Sequence, residues 1–433
     1  MIQATKNYFR FLSRCGRIAF VGDWRYYAWM GLLTIFILLG VNAYAKQLVH
    51  GLITTGMTDQ VSWGVYISNF TFIVGIAAAA AMIVIPVYIY DNEELHDLVI
   101  FGELLAVASI IMCLAFVTVD LGRPDRFWHL IPGIGEFNFP GSMLSWDVVV
   151  LNGYLLLNVH ICGYLLYCRY NNRKPAKWFY IPFVFIAIVW AISIHTVTAF
   201  LYVGLGGRHF WNSAIVGPRF LASAFTAGPA LIILALQIIR KVTQYHISDK
   251  ALLTLRSIVQ VSMIINVFLL VNEMFKELYS GAHAASAHYL FFGLDGHHAL
   301  VPWIWTAIAF NLIAMFILIL PLSKSLKWLD VACVLAIIGI WIEKGMGLVV
   351  PGFIPTPLGE IVEYSPSLNE TLVCLGIWAG GIMAYTIFLR MAVPILQGRL
   401  SKANENVSLH EIVLPEESDS TQEPGQDAAL KKA

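Results

Sequence analysis

The run Asp120-Leu121-Gly122-Arg123-Pro124-Asp125-Arg126-Phe127-Trp128-His129-Leu130 closes a strongly apolar stretch, 97–119. It sets two carboxylates, two guanidinium groups and an imidazole where the apolar residues stop. Ionisable groups are costly beside lipid, so the change reads as a helix leaving the hydrocarbon, and the dense charge there reads as a site. Composition extends that reading to the whole chain. Of 433 residues, 58% are hydrophobic and only 12% charged, against roughly 25% charged in a soluble protein. Mean hydropathy is +0.72. The class is an all-α integral membrane protein. Membrane barrels alternate polarity, whereas this chain carries long apolar runs whose backbone must be satisfied within helices.

Around 97–119 lie nine further runs close to the ~20 residues that a bilayer requires: 27–48, 63–90, 143–167, 178–204, 218–240, 252–279, 301–322, 326–348 and 369–393. The expected architecture is ten transmembrane helices, arranged as two four-helix bundles plus flanking helices. Residues 1–26 form a cytoplasmic N-terminal segment, 27–400 the membrane domain and 401–433 a polar, disordered cytoplasmic tail. Ala43-Tyr44-Ala45 resembles a signal-peptidase site, but the apolar core before it is too long for a signal peptide, so the first helix is expected to stay. Gly345 to Glu370 holds Pro351, Pro355, Pro357 and Pro366 and reads as a structured loop. An internal echo, Ser68-Asn69-Phe70-Thr71 against Ser223-Ala224-Phe225-Thr226, fits a duplicated four-helix unit as well as it fits chance.

Charge sets the sidedness. Ten crossings put both termini on one side. The segments on that side carry all but seven of the 27 Lys and Arg; the seven are Lys46, Arg123, Arg126, Arg208, Arg219, Lys276 and Lys344. The positive-inside rule therefore puts both termini in the cytoplasm of a bacterial or archaeal cell, in its inner membrane. The acidic loop Asp91 to Asp97 gives this no support, although acids weigh little in the rule. Lys+Arg and Asp+Glu are equal at 27, so nothing points to nucleic acid. The six cysteines form no C-x-x-C and no C-x-x-C-H, which argues against a haem c, an iron–sulfur cluster or a zinc site on this chain.

The acids and histidines within the spans are the candidate site. Asp147 lies about one turn inside the fourth helix, at a depth similar to Asp120. A quinone head group has two carbonyls that need donors, and its reduction adds two protons, so a buried Asp and an imidazole suit it. On this reading Asp120, Arg123, Arg126, His129, Asp147 and Tyr154 form a quinone pocket, with Asp147 and His129 exchanging protons. The bland alternative is that the loop charges pair with one another and pin the loop. Asp147, Tyr154 and Asn158, spaced by seven and four, share a helix face. Ser262, Asn266, Glu273 and Glu277 do the same on the seventh helix. Glu103, Glu273, Glu277 and His195 are candidates for a proton path, against a reading in which each is paired within the bundle. His160 and His195 lie in adjacent helices at depths differing by two turns or more, which disfavours a shared haem. His283, His288, His297 and His298 fit no standard metal spacing and read as a solvated docking surface.

The stretches Asp120-Leu121-Gly122-Arg123-Pro124, Phe127-Trp128-His129 and Ser145-Trp146-Asp147, with His195-Thr196-Val197-Thr198-Ala199-Phe200 and Val350-Pro351-Gly352-Phe353-Ile354-Pro355, resemble the NrfD/PsrC-like family of quinone-interacting membrane subunits. The ten-helix form and Asn158-Val159-His160-Ile161-Cys162-Gly163-Tyr164 look most like the DsrP-type subunits of the sulfite-reduction-associated DsrMKJOP complex. The resemblance implies a subunit without its own redox centre that passes electrons between quinone (menaquinone or ubiquinone) and a periplasmic ferredoxin-like iron–sulfur subunit. Further implied partners are a periplasmic multihaem cytochrome c, a haem b membrane subunit and a cytoplasmic iron–sulfur subunit. A reading from another class is a secondary transporter of a small solute or proton, which polar helices four and seven would serve; a third is an inert anchor for extrinsic subunits.

Overall fold

The computed structural model describes residues 2–243, 245–280 and 284–413. Among the described residues no strand forms, and ten helices are long and apolar enough to cross a membrane. A first helix, α1 (Ile2–Ile18), precedes them. The ten spans are α2 (Trp24–His50), α3 (Val65–Tyr88), α4 (Val99–Asp120), α5 (Met143–Tyr170), α6 (Lys177–Val203), α7 (Val216–Thr243), α8 (Asp249–Tyr279), α9 (Val301–Ile319), α10 (Leu326–Phe353) and α11 (Leu368–Leu396). The shortest, α9, has 19 residues and so reaches about 28 Å at ~1.5 Å per residue, close to the hydrocarbon thickness of roughly 30 Å. The chain is a multi-pass, all-α membrane protein.

Polar residues fix where the spans begin. Asp23 caps α2 by accepting from the Tyr26 amide at 3.0 Å. Ser367 and Glu370 form a reciprocal capping box at the start of α11. Each such cap satisfies orphan amides and contributes about 0.5–2 kcal/mol.

Consecutive spans pack as neighbours from α3 to α6 and again from α7 to α10. The two runs meet where α3 lies against α7, and α2 pairs with α11 against α4. Small residues permit the closest approaches. A Cβ added at Gly40 of α2 would fall 2.7 Å from the Cα of Gly376 on α11. On α3 and α7, Gly75 faces Ala224 and Ala79 faces Gly228. The innermost spans are α3 and α4, and the most exposed are α2 and α11. Leu38, Val41 and Leu48 of α2 point outward, as lipid-facing residues should.

Three features differ from the sequence expectation. The first span runs over Trp24–His50 rather than 27–48, because the Asp23 cap lies further upstream than the apolar run. The ninth does not give way to a loop at Gly345. Its α-helix, Leu326–Lys344, continues as a π turn, Gly345–Val349, and a 3-10 turn, Pro351–Phe353, all buried. Gly345 fits there because a side chain would press on Ser68 of α3, and Pro351 opens its own short turn and so breaks nothing. Finally, the polar tail starts later than 401. The Lys402 amide donates to the Tyr170 carbonyl at 2.8 Å, Arg10 pairs with Glu405 at 3.3 Å, and Ile412 is buried. Residues 414–433 lie outside the described residues.

Candidate functional site

The site is built on the inner face of α5. Asp147, Tyr154 and Asn158 recur at helical spacing and are all buried. Asp147 Oδ1 accepts from the Thr198 hydroxyl of α6 at 3.1 Å, and that hydroxyl also reaches the Ile194 carbonyl at 2.7 Å. One turn back on α6, His195 Nδ1 lies 2.9 Å from the Ala191 carbonyl. A carbonyl only accepts, so Nδ1 carries the hydrogen and Nε2 offers a lone pair. His195 Nε2 is buried with no partner among the described residues. A further turn along, the Tyr202 hydroxyl shares a 2.5 Å hydrogen bond with Thr71 of α3. Trp63, Trp211 and Phe220 surround the Tyr202 ring at 5.3–5.8 Å between centroids.

Asp120 is the last residue of α4, and its Oδ1 is also buried and unpartnered among the described residues. Beside it, Gln47 of α2 donates to the Val119 carbonyl at 2.6 Å and accepts from the Tyr66 hydroxyl at 2.7 Å. Both Asp120 and Asp147 are near enough to bear electrostatically on Tyr202. Tyr202 is thus a common neighbour of the two acids in a polar seam, although no hydrogen bond joins Asp120 to Asp147 among the described residues.

The loop residues stand apart from that seam. Arg123 Nη2 pairs with Asp125 at 2.9 Å with both side chains mostly exposed, at 67% and 59%. Hydrogen bonds from Arg123 hold the Asp125 carboxyl below its ordinary range. Arg126 is exposed, and His129 is exposed and stacked on Trp128 at 3.9 Å. Tyr154 also separates from Asp147. With Glu103 of α4 and Asn158 it lines a cavity of about 10 Å³, room for about one water molecule. Glu103 Oε2 has no partner among the described residues. His160 packs on Phe183 at 4.5 Å at the rim of the bundle, far in character from the fully buried His195.

Glu273 of α8 meets three charges that the sequence reading passed over. It forms an ion pair with Arg219 of α7, and Arg219 Nη2 also binds Glu343 of α10 at 2.7 Å. Lys344, next in the chain, is buried and donates to the Phe220 carbonyl at 3.3 Å. Arg219 and Lys344 look like loop charges when counted by sidedness. The available signal was their position, since both lie within apolar runs that exceed the length of a minimal span. Glu277, one turn beyond Glu273, pairs with Lys276 at 2.5 Å. Of the loop histidines, His297 lies 3.6 Å from Glu363, and His283 lies outside the described residues. No group of three metal-ligating side chains occurs among the described residues.

The family model for polysulphide reductase, NrfD, matches residues 53–354 of the chain, a range that contains Glu103, Asp120, Asp147, Glu273, Glu277 and Glu343. A putative dimethyl sulfoxide reductase membrane subunit of Halobacterium salinarum is 26% identical over 348 residues, covering 75% of this chain and 77% of its own. The Hdr-like menaquinol oxidoreductase integral membrane subunit of Archaeoglobus fulgidus is 24% identical, covering 84% and 92%. A selenate reductase subunit of Mesobacillus selenatarsenatis is 23% identical, covering 84% and 93%.

Proposed function

From the premise that the chain belongs to the NrfD family of polysulphide reductase membrane proteins, we propose that it is the quinone-exchanging membrane subunit of a redox complex of sulfur metabolism, of the DsrP type. One relative carries menaquinol oxidoreductase in its name, and two others are named as reductase subunits. The observation that carries the reading is the seam itself. Asp147 is held by Thr198, and two further buried polar atoms, His195 Nε2 one turn from Thr198 and Asp120 Oδ1 at the end of α4, lack a protein partner among the described residues. Unpartnered buried groups are rare and call for a ligand, a water or a proton.

A quinone head group fits that donor set: the Tyr202 hydroxyl and protonated Asp120 and Asp147 would donate to its carbonyls, and His195 Nε2 would accept from a hydroxyl of the reduced quinol. Bound there, it supplies two-electron redox chemistry; the chain supplies orientation and protons. Asp147 holds or releases a proton at a carboxyl oxygen, with Thr198 setting its direction. Arg123, Arg126 and His129, on the exposed loop, form the pocket mouth and the seat of a periplasmic ferredoxin-like iron–sulfur subunit. The assembly is completed by a multihaem cytochrome c and by a haem b module with a cytoplasmic iron–sulfur subunit. Glu103, Glu273, Glu277 and His195 serve proton transfer. The charge distribution supports an inner-membrane location with both termini in the cytoplasm.

The test is Asp147→Asn in the intact complex. Loss of a positioned acid or base reduces a rate by about 10²–10⁴-fold, so quinol-dependent electron transfer should fall by about that factor. An unchanged rate would remove Asp147 from its role.

A further inference from the structure

Four buried polar atoms without a partner among the described residues gather around one carboxylate: Arg219 Nε, Glu273 Oε1, Asn266 Oδ1 and Asn311 Oδ1. Here α7, α8 and α10 withdraw two cations and two carboxylates from solvent. Arg219, Glu273, Glu343 and Lys344 are each no more than 7% exposed. Leaving a buried polar group unsatisfied is costly, and internal water is the usual partner where several polar atoms converge.

The two carboxylates differ in kind. Glu343 accepts from Arg219 Nη2 at 2.7 Å, from Asn311 Nδ2 at 2.7 Å and from Asn266 Nδ2 at 3.2 Å. Protonating it would disrupt this set of three donors. Glu273 has Oε2 on Arg219 and Oε1 open, so a proton at Oε1 breaks no contact. The cations differ as well. Arg219 bridges both acids and cannot give up its proton. Lys344 donates to the Phe220 carbonyl and lies 4.4 Å from the centre of that ring. It faces Gly75 of α3 and bears electrostatically on His195 of α6.

With all four ionised the cluster is neutral. It is neutral again when one proton has moved from Lys344 to Glu273, with the Arg219–Glu343 pair intact. A buried site avoids uncompensated charge, so these are the two states it can alternate between. We propose that Arg219, Glu273, Glu343 and Lys344, with Asn266 and Asn311, form a water-holding site that exchanges one proton between Lys344 and Glu273. In that step a Lys344 Nζ–H bond breaks and leaves the amine. A bridging water accepts that proton and passes another on, and a Glu273 Oε1–H bond forms. Nothing is oxidised or reduced. Lys344 is the member of the cluster that bears on His195. Glu273 lies one turn from Glu277, whose partner Lys276 is 45% exposed. The site stands whether or not the seam binds quinone.

The test uses the full chain in lipid nanodiscs. A high-resolution cryo-EM map should show water bonded to Glu273 Oε1 and to both Asn Oδ1 atoms. Infrared spectra across a pH titration, in H₂O and D₂O, should lose one carboxylic-acid carbonyl band in Glu273→Gln. In Lys344→Met that band should persist through the titration, because protonated Glu273 is then the only neutral state. Glu273→Gln keeps an oxygen for Arg219, so its spectrum decides the matter even if Lys344→Met does not fold. A dry cluster in the map, or a carboxyl region unaltered by Glu273→Gln, overturns the proposal.

Discussion

Asp147 and Glu343 are both buried intramembrane acids, yet only the first is legible in the sequence. Asp147 stands one turn inside an apolar run with no neighbouring charge, which marks it at once. Glu343 sits beside Lys344 near the end of a run, where an adjacent acid and base look like a boundary. Its true partner, Arg219, is 124 residues away in the chain, and no local pattern announces it. The loop cluster poses the opposite case. Five ionisable groups in eleven residues read as one site, whereas Arg123 and Asp125 satisfy each other in the open, and only Asp120 turns inward. Burial decides what each charge is worth. Removing one partner of a buried charge network costs about 3–5 kcal/mol, so Glu343→Ala should lower the thermal unfolding midpoint of the purified protein strongly. Arg123→Ala removes an ion pair whose partners are both exposed, where solvent screens the attraction, and should leave that midpoint nearly unchanged. Equal midpoints for the two variants would contradict the assignment of Glu343 as the anchored anion.

Hydropathy located all ten spans at the scale of elements, because twenty apolar residues have one stable form in lipid. It failed at ends governed by packing. The α10 extension through Gly345–Val349 holds two glycines and lies just before Pro351, which reads as a loop. It stays helical because Gly345 and Gly347 let the backbone press against Ser68 and Ile304. Which spans touch was also beyond the pattern, apart from the small residues. Gly40 and Gly376 permit α2 and α11 to cross in contact, so Gly376→Leu must push them apart. Overpacking of this kind costs about 1–3 kcal/mol. The thermal unfolding midpoint of purified Gly376→Leu should fall below that of Gly380→Leu, a position on the same helix where an added Cβ meets nothing within 4 Å. Equal midpoints for the two variants would show that the helices do not meet there.

The whole molecule has an asymmetric charge map, a polar seam that holds Asp147 and His195, and a buried charge cluster of Arg219, Glu273, Glu343 and Lys344. The asymmetry predicts an orientation that can be checked directly. All six cysteines are buried, so a cysteine introduced at exposed Ser13 or at Leu358, which is 87% exposed, would report alone. A membrane-impermeant maleimide applied to intact cells should label the Leu358→Cys protein and spare Ser13→Cys; the reverse pattern would invert the topology. The family and the class of the fold were readable from residues 120–130 and 145–147 with the apolar runs. The pairing of the seam was not, since Thr71, Thr198 and Tyr202 are ordinary helix residues until α3, α5 and α6 pack. The central claim is that this seam receives a quinone. Photolabelling of the intact complex with an azidoquinone tests it most directly. The account predicts adducts on α3, α5 and α6 around Thr71, Asp147 and Tyr202, suppressed by excess quinol; adducts confined to other helices, or insensitive to quinol, would contradict it.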